Sequence, residues 1–137
     1  MDIIKEKVDD IVNRYGTRSP FKIAAAKGIT VLFEPLGNIL GYYSRHFRIP
    51  LIHINESSPK KEQEFVCGHE LGHAILHPDS NTPFLKKNTY FPTEKIEIEA
   101  NAFAMELLFG GTEDSITIAE AMKEYRIPEK VLRNFLV

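Results

Sequence analysis

The chain has 137 residues, 43% of them hydrophobic and 26% charged, which fits a folded protein with one core and excludes a disordered tail. Its 17 basic and 19 acidic residues give a net charge of −2, which argues against a protein that binds nucleic-acid backbones or anionic membranes. The single cysteine excludes an internal disulfide. The charged N-terminus has no signal-peptide core, and no apolar run approaches the roughly 20 residues of a membrane span. We therefore expect one cytoplasmic domain, residues 1–137.

Short helices and strands are predicted for the first part of the chain. Apolar residues at spacings of three and four predict a helix over residues 2–15, and Ser19-Pro20 begins a second helix that ends at Gly28. Residues rich in β-formers predict strands over 29–33, 39–44 and 49–55. Three strands so close together indicate a small, mostly antiparallel three-stranded sheet.

Helices are predicted for most of the second part of the chain. Ser58 is expected to cap a helix that has Pro59 at its first position and runs to about His77. Residues 79–92 then form a predicted loop that is long for a compact domain and so a candidate functional loop. Further helices are expected over residues 93–108, 116–125 and 128–136. The predicted fold is α+β, with a helical pair in residues 112–137 as an extension of the same domain.

The sequence HELGH at residues 69–73 lies within the third predicted helix and matches the H-E-x-x-H motif. Residues four apart are about 40° apart around a helix, so His69 and His73 face one direction, and Glu70 lies about 60° beyond His73. Two neutral imidazoles beside a carboxylate suit a zinc ion, which lowers the pKa of its water to around 7. Glu70 is then the predicted general base. A chance match is the alternative, and the predicted, capped helix around the motif disfavours it.

A catalytic zinc ion needs a third protein ligand, and two nearby alternatives are weak. One zinc-binding pattern requires a glycine and a ligand at the positions that Leu76 and Asp79 occupy, and the glycine is absent. His77 extends the histidine row but lies about 80° from His69 at the helix end. It fits better as a group that supports another ligand or caps the helix.

The next helix offers Glu97, about 60° from the centre of its apolar stripe and closer to the buried face than Glu99, at about 100°. A carboxylate near the core must be paired or bind a metal, because an isolated buried charge is costly. A surface glutamate at the edge of the stripe is the alternative. Glu99 is expected in solvent or beside a ligand. Asn101, four residues after Glu97, is placed to orient a ligand histidine by a hydrogen bond.

Two linked motifs, HELGHAILH from residue 69 and EIEANAFAMELL from residue 97, resemble the ImmA/IrrE family of metallopeptidases, whose zinc sites are of the gluzincin type. The resemblance covers approximately residues 20–109. The segments YGTRSPFKIAAAKGITVLFEPLG and HPDSNTPFLKKNTYF look like those of the small family members carried by mobile elements and phages of Gram-positive bacteria. The family commonly continues its A-x-x-L-L segment with Met-Pro, whereas this chain has Phe-Gly-Gly at residues 109–111.

The resemblance implies a zincin-like active-site helix and a second ligand helix that together hold one catalytic Zn²⁺. His69, His73 and Glu97 would be its ligands, and Glu70 the general base. It also implies that the chain is an endopeptidase and an antirepressor. Such proteins cleave a helix-turn-helix repressor and thereby derepress the genes of the phage or mobile element.

Two functions from other classes stay open. A metal-bound regulator would sequester the repressor without cutting it, and its activity would survive Glu70→Gln. A nucleic-acid-binding module is the other alternative, because residues 117–128 have a helix-turn-helix rhythm. Residues 112–137 contain four basic and five acidic residues, the wrong balance for a recognition helix. We expect this segment to have a structural or docking role and the protein to make no direct nucleic-acid contact.

Substrate-facing groups are less defined by the sequence. An oxyanion-stabilising donor is expected, and His77, Tyr90 and Tyr42 have suitable chemistry. An extended substrate is expected to add to a strand edge at residues 42–44 or 51–54. Packing or surface positions without a catalytic role are expected for Cys67, His46 and His53.

Overall fold

A computed structural model describes residues 2–86, 94–111 and 117–136. Its elements, in chain order, are α1 (Asp2–Tyr15), α2 (Pro20–Ala26), β1 (Thr30–Glu34), β2 (Ile39–His46), β3 (Ile49–Asn55), α3 (Lys60–Leu76), β4 (Leu85–Lys86), α4 (Lys95–Phe109), α5 (Ile118–Tyr125) and α6 (Glu129–Leu136). The predicted α+β class is confirmed. Within the described ranges, none of the helices is long and apolar enough to cross a membrane.

The first two helices begin and end where the sequence predicts. α1 ends at Tyr15, the amide of Gly16 donates to the carbonyl of Val12 at 2.8 Å, and the positive φ of 68° at Gly16 then turns the chain out of the helix. The hydroxyl of Ser19 accepts a hydrogen bond from the backbone N–H of Lys22 at 3.3 Å, and Pro20 occupies the first helical position.

The sheet differs from the prediction in its number of strands and in one pairing. The described residues form four strands in the order β1-β3-β2-β4. β2 pairs antiparallel with β3 and β4, but β1 runs parallel to β3, with Thr30 opposite Leu51. The parallel pair arises because a tight turn at Phe47 and Arg48, both with positive φ, folds β3 back into the space between β1 and β2. The fourth strand lies in the predicted loop, and its two residues are too few to produce an alternating pattern.

The start of α3 also differs from the prediction. Pro59 is the N-cap residue with an extended ψ of 155°, and the helix begins at Lys60. The hydroxyl of Ser58 is buried and has no hydrogen-bond partner among the residues that the structure describes. The expectation that Ser58 caps the helix is wrong because Pro59 has not yet entered the helical conformation.

Close packing of α3 against α4 determines where the predicted site lies. A Cβ atom on Gly72 would be only 3.1 Å from the Cβ of Phe103, so the small residue allows the two helices to approach. The main core includes Val8, Ile52 and Phe103, from α1, β3 and α4. A second cluster joins α5 and α6 to α3 and α4, and it contains Phe65, Met105, Phe109, Tyr125 and Leu132.

A polar network crosses three strands. His53 of β3 lies between Glu34 of β1, whose Oε1 is 2.6 Å from Nδ1, and Ser44 of β2, whose Oγ is 2.9 Å from Nε2. The ring of Tyr42 stacks on the imidazole with centroids 4.1 Å apart. Because β3 lies inside the sheet, the predicted substrate edge at residues 51–54 is wrong.

Candidate metal centre

One face of α3 brings together the three side chains of the HExxH motif. His69, Glu70 and His73 expose 1%, 0% and 0% of their surface. The two imidazole rings are nearly perpendicular, at 85°, with centroids 4.8 Å apart. One nitrogen or oxygen from each of the three residues lies within 4.8 Å of the others, close enough to hold a metal ion together.

α4 adds a fourth buried side chain to this cluster. Glu97 places Oε1 2.9 Å from Nε2 of His69 and Oε2 3.0 Å from Nε2 of His73. The carboxylate therefore bridges the two imidazoles at the nitrogens that face the cluster. Glu99 points elsewhere and contacts His77. Of the two candidate glutamates of α4, Glu97 is therefore the one that contacts His69 and His73.

The hydrogen-bonding capacity of the cluster is poorly satisfied. Within the described parts of the chain, both carboxylate oxygens of Glu70, Nε2 of His73 and Oε2 of Glu97 are buried without a hydrogen-bond partner. The last two atoms are within ion-pair distance but lack hydrogen-bond geometry. Buried polar atoms are normally paired because leaving one unpaired costs about 1–3 kcal/mol. A cation would satisfy several of these atoms at once, and the donor set of two imidazoles and a carboxylate fits zinc.

The two carboxylates of the cluster have opposite electrostatic environments. Burial raises the pKa of Glu70 from 4.5 to about 8, with a further increase from the charge of Glu97 and a partial offset from His73. Burial also acts to raise the pKa of Glu97, but the close contacts with the imidazoles of His69 and His73 outweigh it and lower the pKa to about 2. Glu97 is thus the carboxylate that stays ionised, and Glu70 is the one suited to accept and hold a proton near neutral pH.

The other ring nitrogen of His69 and of His73 also has a partner. Nδ1 of His69 lies 2.8 Å from Oδ1 of Asn101, which is the contact expected from the sequence. Nδ1 of His73 lies 3.1 Å from Nδ1 of His77, and Nε2 of His77 lies 2.8 Å from Oε1 of Glu99. The sequence placed His77 near a ligand but did not pair it with Glu99.

A narrow cavity of about 50 Å³ adjoins the cluster. It is lined by Leu40, Glu62, Phe65, His69, Leu85, Lys86, Glu97, Asn101, Arg126, Pro128 and Val131. Sequence reasoning missed three charged members of this lining. Glu62 was recognisable, because it precedes His69 by seven residues and so returns to the same helix face. Lys86 and Arg126 carried no comparable signal, since strand β4 and the turn between α5 and α6 bring them to the cavity.

The remaining candidates lie away from this cluster or outside the described residues. Tyr90 is outside the described residues. Tyr42 is stacked on His53, and the carboxylate of Asp79 binds Arg45 at 2.9 Å. Cys67 is fully buried, and burial raises the pKa of its thiol, so it is an unreactive packing residue, as expected.

Comparison with known proteins adds a family to this geometry. The sequence profile of the IrrE N-terminal-like domain, a peptidase family, matches residues 24–136. A curated relative from Bacillus phage phi105, named "Uncharacterized immunity region protein 2", is 44% identical over 107 residues, which cover 77% of this chain and 68% of the relative. "Metallopeptidase ImmA" of Bacillus subtilis (strain 168) is 35% identical over 107 residues, which cover 77% of this chain and 62% of that protein. The matched segment thus spans less than two thirds of the B. subtilis protein.

Proposed function

The chain belongs to the peptidase family of the IrrE N-terminal-like domain, and from this premise we propose that it is a zinc-dependent endopeptidase that cleaves a partner protein. The observation that carries the proposal is the buried cluster of His69, Glu70, His73 and Glu97, with its unpartnered nitrogen and oxygen atoms. A purely structural cluster would have paired these atoms with one another or with neighbouring groups.

His69, His73 and Glu97 would hold the ion. Two neutral nitrogens and one carboxylate leave an open position at a tetrahedral zinc ion, as catalytic sites require. When bound, zinc supplies a Lewis acid for a peptide carbonyl and makes a water molecule more acidic. Metal binding requires neutral imidazoles and an ionised carboxylate, so the affinity for zinc would fall as the pH is lowered.

Glu70 would act as general base and then as general acid. Its carboxylate is fully buried and has no hydrogen-bond partner among the described residues, so it is free to accept a proton from water. The raised pKa of about 8 makes the Glu70 carboxylate a stronger base than an ordinary glutamate, so it would hold the proton taken from water until the more basic leaving amine accepts it. The same side chain thus performs both proton transfers.

The edge of the sheet offers a place for an extended substrate. On the side of β2 away from β3, the described pairing with β4 involves only Ile39 and Gly41. None of the described residues pairs with residues 42–45 on that side, and a substrate segment would add there as a strand. Beside this edge an open groove of about 560 Å³ is lined by β2 and by residues 78–82. Lys86 and Arg126 at the smaller cavity would contact the polar parts of the substrate.

The proposed biological role is that of a cytoplasmic antirepressor. The phi105 relative is named for an immunity region and the B. subtilis relative for a metallopeptidase, and both names fit a peptidase that controls phage or mobile-element genes. The substrate we propose is a helix-turn-helix repressor, whose cleavage would derepress those genes. The near-neutral charge favours recognition of a protein over DNA.

Incubation of the purified protein with the repressor encoded beside it tests this function. Zinc-loaded protein is expected to produce defined fragments, which mass spectrometry maps, and a chelator should abolish them. The Glu70→Gln variant, with zinc retained, should bind the repressor without cutting it. Repressor binding that blocks DNA binding with no fragment in any condition would contradict cleavage and support sequestration instead.

A further inference from the structure

We propose that His77 and Glu99 are positioning residues that hold the ring of His73 with its Nε2 lone pair toward the metal. The inference rests on the proposed zinc site. It assigns a role to the third histidine of HELGHAILH and to the second glutamate of EIEAN, neither of which belongs to the proposed ligand set.

The contacts form one continuous chain from the surface to the cluster. Glu99 is about one-third exposed at its side chain, and its Oε1 lies 2.8 Å from Nε2 of His77. His77, only 9% exposed, places its other nitrogen 3.1 Å from Nδ1 of His73. His73 is fully buried and presents Nε2 to Glu97. A single path of hydrogen bonds therefore links a partly solvated carboxylate to a buried ligand nitrogen.

With a neutral imidazole at His77, the chemistry of each group fixes the direction of these hydrogen bonds. An ionised carboxylate only accepts, so Nε2–H of His77 donates to Glu99. A neutral imidazole that carries its proton on Nε2 has a lone pair on Nδ1, so His77 accepts there. Nδ1–H of His73 must then be the donor. The proton on Nδ1 leaves the lone pair of His73 on Nε2, the nitrogen that faces Glu97.

The backbone places His77 for this task. It is the first residue after α3, where φ and ψ of −133° and 50° leave the helical path. Its own N–H donates to the carbonyl of His73 at 2.8 Å, so main chain and side chain both tie it to the same residue. Its ring contacts Nδ1 of His73, the nitrogen that does not face Glu97, so His77 supports a proposed ligand without joining the ligand set.

The two proposed ligand histidines are anchored by the same helix in different ways. Asn101 of α4 accepts directly from Nδ1 of His69 at 2.8 Å, whereas Glu99 of α4 reaches His73 only through His77. Glu97, between the two imidazoles, also belongs to α4. One helix would thus supply the third ligand and set the tautomer of both others, which couples α4 docking to metal affinity.

Zinc affinity of the purified full chain tests the inference independently of peptidase activity. Competition with a chromophoric chelator should show a loss of about 10–100-fold in zinc affinity for His77→Leu, which removes the acceptor. His77→Gln keeps an acceptor oxygen and should recover most of that loss. Glu99→Ala should lower the affinity less. His46→Leu, at an exposed histidine of the β2–β3 turn, is the matched control and should bind zinc as the wild type does.

Long-range ¹H–¹⁵N spectra of the zinc-loaded protein supply a readout that a packing role would not move. They should show His77 protonated on Nε2, and His73 protonated on Nδ1. A His77 ring protonated on Nδ1, or unchanged zinc affinity in both His77→Leu and Glu99→Ala, would overturn the proposal. If His77→Leu does not fold, the zinc affinity of Glu99→Ala, a change at a partly exposed side chain, and the spectra of the wild type together test the proposal. A wild-type protein that binds no zinc would instead refute the proposed function.

Discussion

Two histidine–carboxylate clusters in this molecule have similar composition and opposite hydrogen-bonding states. On the sheet, His53 lies between Glu34 and Ser44, and both of its ring nitrogens have partners. Between α3 and α4, His73 and Glu97 are more deeply buried, and each has a polar atom without a hydrogen-bond partner in the described parts of the chain. Burial alone would demand better pairing in the second cluster, not worse.

The difference distinguishes a structural network from a binding site. The sheet network is complete without any further group, so it needs only to hold three strands together. The α3–α4 cluster has buried nitrogen and oxygen atoms that a bound cation would satisfy. The unmet hydrogen-bonding capacity of the α3–α4 cluster, more than the presence of histidines and glutamates, is therefore what indicates a metal.

The largest effect is expected from Glu70→Gln in the helix cluster. Loss of the general base should reduce repressor cleavage by at least about 10²–10⁴-fold, measured by fragment formation under single-turnover conditions. Zinc content should stay at the wild-type level, because Glu70 is not a proposed ligand. Glu64→Gln, on the same helix but partly exposed, is the control and should cleave normally. Full cleavage by Glu70→Gln would remove Glu70 from the mechanism.

Removal of a carboxylate should weaken zinc binding in the α3–α4 cluster but not in the sheet network. Loss of a group that supports a ligand typically weakens metal binding by about 10–100-fold. Glu97→Ala removes a proposed ligand itself, so it is expected to weaken zinc binding by more than about 100-fold. Glu34→Ala removes the carboxylate of the sheet network and should leave zinc affinity unchanged. Isothermal titration with zinc measures both. Equal effects of the two substitutions would break the distinction between the clusters.

Metal removal should destabilise the protein measurably. A ligand that binds only the folded state stabilises it by about 2.7 kcal/mol at 100 times its Kd, which corresponds to roughly 10 °C in Tm for a chain of this size. Calorimetry with and without a chelator provides the comparison. The same shift should persist in a His53→Leu variant, because the sheet network holds no metal, and should vanish in Glu97→Ala.

The stability of the metal-free protein should depend on pH because the carboxyl group of Glu70 is buried. Burial raises the pKa of Glu70 from 4.5 to about 8, so the folded state holds this proton more tightly than the unfolded state does. Stability from this group is therefore complete below pH 4.5 and is lost as the pH rises toward 8. Metal-free Glu70→Gln should gain stability over the wild type as the pH increases through this window. A constant difference in Tm across the window would contradict the raised pKa.

The smallest effect is expected from the sheet network itself. His53→Leu removes two hydrogen bonds in a partly solvated setting and should lower the free energy of unfolding by about 1–2 kcal/mol. Urea denaturation measures this change. Zinc affinity and repressor cleavage should remain at wild-type levels, and a loss of either would show that the sheet network contributes to the site.

Local patterns predicted the parts of the fold that depend on neighbouring residues in the sequence. The HExxH spacing placed His69, Glu70 and His73 on one helix face, and the apolar stripe of α4 ranked Glu97 ahead of Glu99. Both conclusions needed only helical periodicity and the cost of burying a charge. The capping of α2 by Ser19 followed in the same way.

Features that depend on distant pairing or on a change of backbone direction were not predictable in this way. The parallel pairing of β1 with β3 results from where the hairpin inserts, and the two residues of β4 have no pattern of their own. The contact of His77 with Glu99 depends on how α3 ends and how α4 docks. Ser58 had the right residue type for a cap, but the extended conformation of Pro59 moved the start of the helix.

Anomalous diffraction at the zinc edge from zinc-soaked crystals tests the proposed metal centre. One strong peak is expected between α3 and α4, bonded to Nε2 of His69, Nε2 of His73 and the carboxylate of Glu97, with no peak at His53. A peak bonded to His77 or Glu99, or an α3–α4 cluster without zinc, would contradict it.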